Sequence, residues 1–187
     1  MSHANHAIPS QVLRTMQIVA GALLLGLLTF LLIVSVITPH GGQGPNPATD
    51  LPSPVLLLAA AAMGIFCVPA SFVLPNMITR AALRQIVAGE WKAPAGANVR
   101  PPETDADKLL MVRQTTMIIG LAMLEGTGFF SAIIYMLTGQ VIVLTVVAVV
   151  VALMLARFPT QAKVSAWLEQ QMQALTDLQR ARQLGMR

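Results

Sequence analysis

Four long apolar runs alternate with polar or turn-forming segments along the chain: Met16–Ile37, Val55–Ile78, Gln114–Leu137 and Val141–Leu155. A helix needs roughly 20 apolar residues to cross the hydrocarbon of a bilayer, so each run is read as a transmembrane helix. The expected spans are about 15–38, 55–79, 114–137 and 141–156. The first run exceeds a signal-peptide core of roughly 7–15 residues and no A-x-A-like site follows it, so it is expected to remain as an uncleaved span. Pro39-His40-Gly41-Gly42 closes it and opens a loop that runs to Pro54. The second run contains Pro69 and Pro75, which lack backbone donors and are expected to bend or locally unwind the helix. Its small residues Ala60, Gly64, Cys67 and Ser71 recur at helical spacing and predict a face for close helix packing.

The intervening segments have their own periodicities. Residues 80–113 form a polar connector, with a helical extension expected through Val87 and a new helix starting at Thr104 or Asp105 as the cap. Thr138-Gly139-Gln140 leaves room only for a tight turn. Beyond Arg157 and Pro159 the chain becomes polar, and Val164, Leu168, Met172, Leu175 and Leu178 recur every three or four residues. This predicts an amphipathic helix over residues 160–185. With Trp167 near its start, three placements stay open: at the membrane interface, against a cytosolic partner, or packed on the connector. Contact with a partner or the membrane is expected through Val164, Leu168, Leu175 and Leu178. The predicted fold is an all-α membrane protein, with a four-helix transmembrane domain over 1–158 and a C-terminal amphipathic helix over 159–187.

Composition agrees, since 55% of residues are hydrophobic and 11% charged, against roughly 25% charged in soluble domains. The net charge of +4 does not predict a nucleic-acid partner, because the basic residues flank apolar runs without the aromatic or basic motifs of such binders. They fix topology instead. Of twelve Lys and Arg residues, Arg14 precedes the first span, six lie between Arg80 and Arg113, and five follow the fourth span. The positive-inside rule then places both termini and the connector in the cytoplasm, in a multi-pass protein of the cell's inner, or plasma, membrane. The single cysteine, Cys67, excludes an intramolecular disulfide and a cysteine zinc cluster. His3, His6 and His40 lie in a polar tail and a loop and form no metal site. Without a phosphate loop, nucleophile elbow or acid pair, neither a cofactor nor independent catalytic activity is expected.

The candidate chemistry centres on Glu125, the only acidic side chain inside a long apolar run. A carboxylate at mid-membrane costs on the order of 2.5–3.5 kcal/mol on insertion scales, which makes such an acid a functional candidate. Glu125 lies twelve residues beyond Arg113, roughly 18 Å along a helix. The same count from Arg14, Arg80 and Arg157 reaches Gly26, Val68 and Thr145. Near that depth the hydroxyls of Thr127, Ser71 and Thr145 are the expected partners, and no Lys or Arg is expected there. The neutral acid is the expected form unless a cation or water meets it. Gly128 and Ala132 form a small-residue pair beside it. Two readings stay open: Glu125, with Thr127, binds a proton or Na⁺ reversibly, or Glu125 is a structural hydrogen-bonding acid in a non-catalytic accessory or assembly subunit.

The run Arg113-Gln114-Thr115-Thr116-Met117-Ile118-Ile119-Gly120-Leu121-Ala122, ahead of Glu125 and Phe129-Phe130, resembles the second helix of the rotor-ring proteolipid, subunit c, of F-type ATP synthases. Ala82-Leu83-Arg84-Gln85 is similar to the end of that family's first helix and its cytoplasmic loop. The resemblance covers about residues 57–138 and is strongest over 113–130. It implies an ion-carrying carboxylate at Glu125, Thr127 as a ligand hydroxyl, and a homo-oligomer or larger membrane complex. The chain departs from the pattern in having Ile86 at the loop proline, a longer connector and two additional flanking spans.

Overall fold

In the computed structural model, residues 10–37, 53–92, 102 and 104–185 are described. Five helices follow in order: α1 (Ser10–Ile37), α2 (Ser53–Ala88), α3 (Asp105–Thr138), α4 (Ile142–Ala156) and α5 (Gln161–Gly185). No strand occurs among the described residues. Three helices, α1, α2 and α3, are each long and apolar enough to cross a membrane. The fourth expected span is less clear-cut, since α4 has only 15 residues. The loop between α1 and α2 lies outside the described residues, as do His3, His6 and His40.

The helix ends follow local chemistry. Thr104 and Asp107 make a reciprocal cap before α3: the Asp107 amide donates to Thr104 Oγ1 at 3.2 Å, and the Thr104 amide donates to Asp107 Oδ2 at 3.0 Å. Two amides that a helix start leaves without partners are thereby satisfied. At the far end of α2, Gly89 takes φ +78, and the amides of Gly89 and Glu90 return to the carbonyls of Ile86 and Gln85 at 3.1 and 3.0 Å. This is the paired closure that favours glycine just past a helix end. Gly139, at φ +65, donates its amide to Tyr135 O at 2.8 Å and ends α3. The segment between α3 and α4 is the tight turn that its three residues dictate.

The chain divides into two units. The first contains residues up to Gln17, Pro75–Met117 and Pro159 onward. Its core is Met16 of α1, Leu83 and Ile86 of α2, Leu109 and Leu110 of α3, and Val164, Leu168 and Leu175 of α5. Three of the four stripe residues named for α5 are therefore covered within the chain, each at 3% exposure or less, whereas Leu178 is 41% exposed. Burial of each such side chain contributes on the order of 1.5–3 kcal/mol, which holds a helix too polar to be a span. Gln17 Nε2 donates to Pro159 O at 3.1 Å, and Arg182 Nη1 donates to the end carbonyl of α2 at Val87.

The second unit contains Ile18–Leu74 and Ile118–Phe158. One cluster joins Val34, Ala60, Ile134, Tyr135 and Val143 from all four of its helical segments. The small face of α2 is packed at two of its four positions, with Gly64 and Cys67 half-buried. Ala60 is 3% exposed and Ser71 fully buried, and a Cβ on Gly64 would lie 3.7 Å from a methyl of Val146. The exterior reverses the usual pattern of a water-soluble fold: Leu25, Leu32, Ile65, Phe66 and Ile142 are each more than 60% exposed. So much exposed apolar surface indicates a membrane protein.

Candidate functional site

Glu125 projects from α3 toward α1 in the second unit. Its carboxyl oxygen Oε1 lies 3.5 Å from where a Cβ on Gly26 would stand, so the missing side chain leaves α1 open beside the acid. Equal counts from Arg14 and Arg113 had placed Gly26 and Glu125 at one depth, and here they meet. One turn on, Gly128 is covered by Leu27, whose terminal methyls would be 2.7 and 2.9 Å from a Cβ there. Phe30 and Phe129 then meet edge to face with ring centroids 5.0 Å apart. The contacts of Gly26, Leu27 and Phe30 with Glu125, Gly128 and Phe129 advance together, so α1 and α3 run parallel along the site.

The expected hydroxyl partners are elsewhere. Thr127 is buried, and its Oγ1 donates to Met123 O at 2.9 Å. It lies two positions after Glu125, a turn of about 200°, so the two leave α3 in nearly opposite directions. Ser71 Oγ donates to Val68 O at 2.6 Å, and Thr145 Oγ1 donates to Ile142 O at 2.6 Å. Each hydroxyl proton is used by a carbonyl of its own helix, the common fate of Ser and Thr inside helices. Thr145 instead borders an apolar groove of about 550 Å³ between α2 and α4, with Ala61, Gly64, Val68 and Val149 among its lining. The Glu125 carboxyl makes no hydrogen bond or ion pair among the described residues.

No known family, curated protein or solved structure matches this chain. Its functional reading therefore rests on its own residues.

Two polar side chains elsewhere in the second unit escape a reading by depth alone. The first is Arg157, whose Nη1 donates to Ser71 O at 2.9 Å and to Ser71 Oγ at 3.3 Å. In an uninterrupted helix, Ser71 O would accept from residue 75, which is Pro75 and has no N–H. Arg157 supplies the missing donor, and its guanidinium also lies 3.6 Å from the centroid of Phe72. Counting along a helix locates only the Arg157 backbone, whereas its side chain extends to Ser71 on α2. The signal was present in the proline four residues after Ser71. The second is Ser131, whose Oγ is buried without a hydrogen-bond partner among the described residues. It stands one turn beyond Thr127, and only that spacing could have singled it out.

Proposed function

We propose that the chain is a multi-pass membrane protein crossing the bilayer with α1, α2, α3 and α4, both termini cytoplasmic, and that Glu125 is a reversible proton- or Na⁺-binding carboxyl. The observation that carries this reading is the carboxyl's lack of any donor among the described residues, over the open backbone of Gly26. A carboxyl serving as glue within the chain would have a donor. Proton binding needs only the carboxyl itself, whereas Na⁺ would require further oxygen ligands that Thr127, Ser71 and Thr145 do not supply in this arrangement. The proton is therefore the preferred ion. The resemblance of residues 113–130 to the rotor proteolipid supports the same role for the acid.

One observation favours a second reading. The same unengaged carboxyl is available to accept or donate a hydrogen bond to a neighbouring chain, as an accessory subunit of a membrane complex would require. A hydrophobic carbodiimide, which partitions into lipid and reacts with the protonated acid, is expected to modify Glu125 ahead of the other seven acids, with labelling declining as pH rises. Glu125→Gln then separates the readings. Loss of proton flux in proteoliposomes with oligomeric state unchanged supports the ion site. Loss of co-purifying subunits, with no flux in the native protein, supports the accessory role.

A further inference from the structure

Arg113 is the last charged residue on α3 before the apolar run that contains Glu125. Its guanidinium carbon lies 5.1 Å from the ring centroid of Trp167 on α5. Contact with an aromatic face leaves a guanidinium's N–H donors available at its edge. Arg113 is nevertheless half-buried, and it makes no ion pair or side-chain hydrogen bond among the described residues. The acids nearest to it along α3 are engaged elsewhere: Asp105 with Lys108 at 2.7 Å, and Asp107 with Thr104 at 2.8 Å. Burial also lowers the pKa of the guanidinium from its ordinary value. A half-buried cation whose donors have no acceptor is costly unless something else supplies one.

We propose that Arg113 and Trp167 form a recognition site for the phosphate group of an anionic membrane lipid. The proposal rests on the membrane-spanning part of the function proposed above and is independent of the role of Glu125. Both members of the pair are held in place, since Val112 is 6% exposed on one side and Val164 and Leu168 are at most 3% exposed on the other. The edge of the guanidinium fork matches two phosphate oxygens, a fit that a lysine ammonium does not reproduce. The polypeptide beyond Arg113 selects a lipid over a soluble anion. Beyond the polar turn Gln114-Thr115-Thr116, α3 is apolar apart from Glu125, Thr127 and Ser131, so a phosphate held at Arg113 would stand at the start of the apolar run, where acyl chains attached to it would enter the hydrocarbon.

The test uses the purified full chain in detergent, with native mass spectrometry comparing retained phosphatidylglycerol and phosphatidylcholine. The native protein is expected to retain the anionic lipid preferentially, and Arg113→Gln to reduce that preference about fivefold, the scale of one basic residue at an anionic surface. Arg113→Lys should recover only part of it, and Arg180→Gln, at the exposed end of α5, should leave it unchanged. Undiminished preference in Arg113→Gln overturns the proposal. If that variant does not fold, the decision falls to Trp167 fluorescence in Trp91→Phe. A larger spectral shift with phosphatidylglycerol supports the site, and equal shifts with both lipids overturn it. A shift with inorganic phosphate alone overturns the lipid assignment in favour of a soluble anion. Release of the native protein from membranes by alkaline carbonate would instead refute the spanning reading.

Discussion

At the scale of single residues, Gly128 and Leu27 set the approach of α1 to α3. Gly128→Ala would force the buried Leu27 methyls aside, an overpacking expected to cost about 1–3 kcal/mol. Leu27→Val removes those methyls and should recover part of the loss, measurable by unfolding in mixed detergent micelles. Arg157 offers a sharper cycle. Arg157→Ala withdraws a charged hydrogen bond of a kind worth about 1.5–3 kcal/mol, but Pro75→Ala returns an amide to Ser71 O. The Arg157 substitution should therefore be markedly less damaging in the Pro75→Ala background, and equal losses in both would refute the donor-replacement account. The sequence made Glu125 conspicuous because an acid in an apolar run is costly wherever the run lies. It did not reveal where the hydroxyls of Thr127, Ser71 and Thr145 donate, since each bonds a carbonyl three or four residues back and needs no neighbour.

At the scale of elements, the start of α3 was legible in Thr104 as a cap residue, whereas the reciprocal bond with Asp107 came only with the structure. Thr104→Ala is expected to cost about 1 kcal/mol, seen as faster hydrogen exchange at the first amides of α3. Helix α5 was legible as a helix but not in its docking, because a three-four apolar stripe specifies burial without naming the surface that provides it. Leu168→Ala, in the core of the first unit, should cost about 2–5 kcal/mol, and the exposed Leu178→Ala no more than about 0.5 kcal/mol. Similar losses at the two positions would mean that Leu178 is covered in the working protein, as a cytosolic partner of α5 would require. Helix α2 was expected to bend or locally unwind at Pro69 and Pro75. It remains helical from Ser53 to Ala88 across both prolines, and at Ser71 Arg157 provides the donor that Pro75 lacks.

At the scale of the whole molecule, the proposed topology makes a definite accessibility prediction. In a Cys67→Ser background, Asn46→Cys should react with an impermeant thiol reagent only from the non-cytoplasmic side, and cytoplasmic labelling would overturn the four-span arrangement. The division into long helices was legible since hydropathy follows directly from side-chain solvation. The parallel pairing of α1 with α3 was not, because nothing in a single helix identifies its neighbour. Helix α4 has a further consequence. Its 15 residues extend about 22 Å at 1.5 Å per residue, against a hydrocarbon thickness of about 30 Å. Surrounding lipids would have to compress toward it, at a fraction of a kcal/mol for each Å of mismatch. With all four helices inserted, the protein would fit short-chain bilayers better than long-chain ones and would sort toward the thinner regions of a heterogeneous membrane.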